Sequence, residues 1–133
     1  MNNRETTKPV IITRKFDGRI DSDGTPDGVL VRSYDCNVLL TLEDANGGQI
    51  MTHDEAVGKY GGFLPSRKQA ALICMYIDEV NAALKEAGGQ PLDSAYWTAD
   101  NDKFYTTWVF FHDGSIHPFG HDHEFHVRPV IQF

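Results

Sequence analysis

The sequence predicts one α+β domain, with two helices packed on a small, mainly antiparallel sheet and long loops between the elements. Two capping-box signals and apolar residues at spacings of three and four fall within residues 52 to 88. β-Branched and aromatic runs lie on either side of that stretch, and clusters of turn-forming residues separate them. With 133 residues, 41% of them hydrophobic, the chain can build a single core burying roughly two thirds of its unfolded surface.

In chain order, residues 1 to 8 are polar, and Val10-Ile11-Ile12-Thr13 is a β-branched run suited to a strand. The stretch DGRIDSDGTPDG, Asp17 to Gly28, reads as consecutive turns, because its residues accept positive φ or bond their own backbone. Asp21, Asp23 and Asp27 alternate as calcium ligands can, but the closing glutamate of an EF-hand is missing, so solvated turns are expected. Gly28 to Tyr34 and Val38 to Leu42 form a hairpin around Asp35-Cys36-Asn37.

Thr52-His53-Asp54-Glu55 has the form of a capping box, with Met51 and Ala56 placed as a hydrophobic staple, so a short helix should run to Tyr60. His53, in its first turn, is expected to be solvated or capping. Ser66 to Gln69 repeats the box and opens a long helix. Ile73, Ile77, Val80, Leu84 and Ala87 give that helix its apolar stripe, and Gly88-Gly89 stops it.

Beyond Tyr96-Trp97, strand alternation in Trp108-Val109-Phe110-Phe111 sends Trp108 and Phe110 to one face and Val109 and Phe111 to the other. His112-Asp113-Gly114-Ser115 is a hairpin turn, and Ile116 to Phe119 is the return strand. The last strand, from Phe125 to Phe133, is interrupted at Pro129, and Arg128 should anchor a carboxylate or backbone carbonyls.

Residues 100 to 126 hold five of the six histidines and five of the eight phenylalanines, with one cation, Lys103, and no leucine. Rings that combine large rigid area with a polar handle suit recognition more than catalysis. Outward residues of this segment form the expected ligand-binding face: Asn101, Phe104, Tyr105, Phe111, His117, Phe119, His121, His123 and His126. Brackets of Tyr96-Trp97 and Val127-Arg128-Pro129-Val130 frame it.

Taken in order, the blocks TLEDA, MTHDEAV, GGFLPSRKQA, IDEVNAALKEAGGQPL, YWTA, TTWVFFHDG and HVRPVIQF resemble the C-type-lectin-like domain of gut-bacterial and phage proteins. Relatives of that kind include phage tail-fibre tips and the variable proteins of diversity-generating retroelements. The resemblance covers residues 28–133, leaving residues 1–27 as an N-terminal arm, strand and turns. It implies a non-enzymatic domain that displays its C-terminal segment to a protein or glycan ligand, a place on a virion or cell surface, and an inward Trp108 that meets the long helix beside Phe110. Adenine-directed diversification of Asn codons gives His, Asp, Tyr, Phe, Ser or Gly, types abundant here. Any wet aromatic surface has the same bias, so the two origins stand side by side. A structural or assembly tip module is the alternative function, and a metal-dependent hydrolase a third.

Composition and motifs exclude much else. Twelve Lys plus Arg against nineteen Asp plus Glu, a formal charge of −7, offers no counterpart for nucleic-acid phosphates. The N-terminus lacks the apolar run of a signal peptide, and no stretch reaches the length of a membrane span, so membrane insertion is not expected. Cys36 and Cys74 have no CxxC spacing and are expected as free thiols, although a strand–helix disulfide stays open. Neither HExxH nor another recognised zinc set is present, so the C-terminal histidines are read as recognition groups and no metal or other cofactor is expected. Ser115 near His112, Asp113 and His117 supplies the residue types of a triad without a nucleophile elbow, and no catalytic residue is assigned. Calcium-type sugar binding would use Glu-Pro-Asn and Trp-Asn-Asp motifs, which are lacking.

Overall fold

The computed structural model describes residues 10–14, 28–101 and 106–131, with the backbone course alone for 10–14 and 101. Strand β1 (Val10–Arg14) pairs antiparallel with β2 (Gly28–Arg32), which pairs in turn with β3 (Asn37–Thr41). The far edge of β3 takes the short C-terminal strand β7 (Val130–Ile131), so one sheet joins both ends of the chain in the order β1-β2-β3-β7. A second antiparallel sheet contains β4 (Ala95–Asn101), β5 (Thr106–Phe111) and β6 (Ile116–Gly120), with a register shift in β4 between Trp97 and Asn101. Both sheets and the helical segment between them make an α+β fold.

Helix α1 (His53–Tyr60) begins with a complete capping box. The Thr52 hydroxyl accepts from the Glu55 amide and the Glu55 carboxylate accepts from the Thr52 amide. Ser66 and Gln69 repeat this at the start of α2 (Arg67–Met75).

The single long helix expected from the apolar stripe is two helices. Tyr76, at φ −124° and ψ 35°, ends α2 and starts α3 (Ile77–Glu86), so there are three helices among the described residues where two were expected. Neither proline nor glycine stands at the break, and its cause is tertiary. Helix α2 packs on β4, β5 and β6, whereas α3 packs on β1 and β2, so each half follows a different sheet. Gly88, at φ +80°, closes α3. Its amide bonds to the Lys85 carbonyl and the Gly89 amide to the Leu84 carbonyl, the paired bonds of a Schellman motif.

Two apolar clusters result. The larger joins Val29, Val31, Val38 and Leu40 of the first sheet to Ile73, Val80 and Leu84 of the helices and to Tyr96 and Phe110 of the second sheet. The smaller holds Met51, Ala56, Leu64, Trp97, Val109 and Val127. The second sheet therefore has apolar residues on both faces: Tyr96 and Phe110 meet the helices, and Trp97 and Val109 turn the other way.

Trp108 corrects an expectation. It shares the helix-facing side with Phe110 but is only half-buried, and the Arg67 guanidinium covers its ring at 3.9 Å. The fully buried indole is Trp97.

Arg128 finds both kinds of partner expected for it. Its Nε donates to Asp44 Oδ1 at 2.9 Å, and its terminal nitrogens donate to the carbonyls of Thr41 (3.2 Å) and Pro91 (3.5 Å). Cys36 and Cys74 are both free, Cys36 half-buried and Cys74 buried. Burial pushes the Cys74 thiol up to about 11, with the Asp113 carboxylate adding to the effect.

Candidate functional site

Strand pairing sets the site. Thr107 lies opposite Phe119 and Val109 opposite His117, so His117 and Phe119 share the face of the second sheet that carries Trp97 and Val109, away from α2. The chain then turns at Gly120, whose carbonyl accepts from the His123 amide, and comes back across this face. Phe125 pairs there with Met51 and His126 bridges to Tyr96.

Five rings consequently meet at the margin of the smaller apolar cluster. Phe119 lies 4.9 Å from Phe125, 5.4 Å from His123 and 5.8 Å from Phe111, measured between ring centroids. His117 packs edge-on against Phe111 at 5.6 Å, and His123 stacks over Phe125 at 6.2 Å. These are the offset and edge-to-face spacings that aromatic pairs prefer. His117 and His123 are exposed, while Phe111, Phe119 and Phe125 are half-buried. The phenylalanines thus act as a floor for outward imidazoles, and none of the three is fully exposed.

The remaining expected site residues fall elsewhere. Phe104, Tyr105 and the side chain of Asn101 lie outside the described residues, as does the turn segment from Asp17 to Asp27. The His126 side chain is 23% exposed and leaves the outward face, with its Nδ1 3.5 Å from the Asp44 carboxylate that Arg128 also binds. His121 is half-buried. Its Nε2 lies 2.7 Å from the Thr107 hydroxyl, and its ring lies 4.6 Å from that of His53.

His53 reverses the solvated placement expected for it. Only 4% exposed, it packs 5.1 Å from Trp97, and its Nε2 lies 3.2 Å from the Thr98 carbonyl. A carbonyl can only accept, so Nε2 carries the proton of the neutral ring and Nδ1 presents a lone pair. Burial lowers the pKa of His53 from its ordinary 6.5; the Thr98 carbonyl opposes that effect, His121 reinforces it, and Asp54 opposes it. The neutral ring is therefore favoured in the folded state. His53 should contribute full stability above pH 6.5 and lose it as pH falls from there through the lowered folded-state value. Denaturant titrations in chelator across mildly acidic pH should show His53→Gln losing less stability on acidification than the parent. Equal losses would mean that His53 titrates alike folded and unfolded.

Neither Phe125 nor His53 was among the residues picked out from sequence. Phe125 carries the same aromatic and histidine-rich signal as its neighbours and could have been included. Nothing local in the sequence connects His53 with His121, which only the fold of α1 over the second sheet brings together.

No family model matches the chain, and neither a curated protein nor a solved structure matches it.

Proposed function

We propose that this chain is a C-type-lectin-like, non-enzymatic ligand-binding domain that presents its C-terminal segment to a protein or glycan on a cell surface. The observation that carries the reading is the ring group His117, Phe119, His123, Phe111 and Phe125. It lies over one face of an antiparallel sheet, with half-buried phenylalanines at its base and exposed imidazoles at its rim. Pre-packed rings lose little conformational entropy when a ligand binds, and imidazole nitrogens supply directional bonds to hydroxyl or amide groups. The block resemblance and the α+β architecture support the same assignment. Adenine-directed diversification would act on codons of this segment, while Tyr96, Trp97, Val127, Arg128 and Val130 of the brackets are buried and would hold the fold constant.

A glycan and protein-ectodomain array probed with parent and with His117→Ala/Phe119→Ala/His123→Ala tests the proposal. The expected result is loss of the parent's signals in the variant, with cooperative unfolding retained. An identical binding pattern would move the contacts to another surface. The assembly-module alternative draws on Tyr34 and Met75, which are 98% and 74% exposed beside Cys36 and Lys68, away from these rings. Tyr34→Ser/Met75→Ser should leave array binding intact. Loss of self-association in that variant, with array signals absent in the parent, would favour assembly.

A further inference from the structure

We propose that His53, Asp54 and His121 form a three-ligand site for a divalent transition-metal ion of the zinc class. One ring nitrogen from each histidine and one carboxylate oxygen of Asp54 lie within 4.8 Å of one another. Two imidazoles and one carboxylate suit such an ion, whereas a calcium or magnesium site would be built from oxygens.

The site is oriented as well as close. With the His53 Nε2 proton directed at the Thr98 carbonyl, its Nδ1 is left as the ligating atom, the arrangement in which metal-bound histidines are usually held. His121 Nε2 points toward the same place, since the Thr107 hydroxyl lies 2.7 Å from it and 3.5 Å from His53 Nδ1. Ligand atoms about 2.0–2.1 Å from a tetrahedral ion are about 3.3 Å apart, so binding requires the group to contract. Its more exposed members leave room for that: Asp54 is exposed and His121 is half-buried in a turn, while His53 is buried in the core. Three protein ligands leave a tetrahedral ion one position for water. The amino end of α1 disfavours a cation, and Asp54 and Glu55 in its first turn offset that.

This assignment stands apart from the ring group of the proposed function, because His117 and His123 take no part in it. The test is calorimetric titration of Zn²⁺ into the untagged full chain, with Co²⁺ absorption spectra as a report of coordination. His121→Ala and Asp54→Asn are the informative variants, because His53→Ala removes a buried ring and risks the fold. The expected result is one equivalent bound by the parent, with affinity reduced at least about tenfold in each variant, equivalent to about 1.4 kcal/mol. In addition, Zn²⁺ should raise the parent's unfolding midpoint more than that of His121→Ala. No uptake by the parent would overturn the site, as would uptake undiminished in His121→Ala, which would place the ion on other histidines. Weakening in His121→Ala alone would overturn the role of Asp54.

Discussion

Replacing Arg128 by methionine should destabilise the protein by about 3–5 kcal/mol, the usual cost of leaving one member of a buried ion pair without its partner. The Arg128 side chain is 0% exposed and that of Asp44 only 3%. Besides the ion pair, the guanidinium binds the Thr41 carbonyl at the end of β3 and the Pro91 carbonyl ahead of β4. It therefore links the first sheet, the approach to the second and the C-terminal segment at one point. Methionine fills similar volume, so a large loss would come from the stranded Asp44 carboxylate and the unmet carbonyls. Adding Asp44→Asn removes the uncompensated charge, and the double variant should lose clearly less than the sum of the two single changes. Urea unfolding of all four proteins measures that coupling directly. Strict additivity would show that the pair contributes nothing beyond its separate packing.

Arg128 also shows how far a sequence can be read. A cation next to proline in an apolar segment announces that it needs an acceptor, but Asp44 lies 84 residues away and nothing local selects it. Local rules succeeded wherever the interaction was local. Both capping boxes, the stop at Gly88, the hairpin turn at Gly114 and the division of residues between the faces of β5 follow from neighbours within a few positions. They failed where two sheets compete for one helical segment. The stripe from Ile73 to Leu84 is continuous in sequence, yet its two halves pack on different sheets and the helix breaks at Tyr76. His53 failed for the same reason, since a first-turn position is normally wet and only the second sheet buries this one. The histidine and aromatic clustering pointed to residues 111 to 123, and the fold brings Phe111, His117, Phe119 and His123 together there. Which rings stand outward depended on the return of Phe125 across β6, a contact the pattern did not contain.

The same distinction between direction and depth separates the two tryptophans. Trp97→Ala should cost about 3–5 kcal/mol, the range for deleting a buried large aromatic. Trp97 is 0% exposed, holds the Met51 carbonyl through its indole N–H at 2.7 Å, and packs 5.1 Å from His53 and 5.0 Å from Phe125. Those contacts join β4, α1 and the returning C-terminal segment, the three pieces that frame the smaller core. Trp108→Ala removes a half-buried ring that the Arg67 guanidinium covers, and should cost about 1–2 kcal/mol. Trp97→Phe is the control, because it keeps much of the ring but loses the indole donor. It should fall between the parent and the alanine variant. Denaturant unfolding of the three variants ranks them, and a loss in Trp108→Ala equal to that in Trp97→Ala would show that position on β5 to be as deep as the other on β4. Because Trp97 lies under both Phe125 and His53, Trp97→Ala should also weaken array binding and Zn²⁺ uptake together, whereas Trp108→Ala, on the opposite face of the sheet, should leave both unchanged.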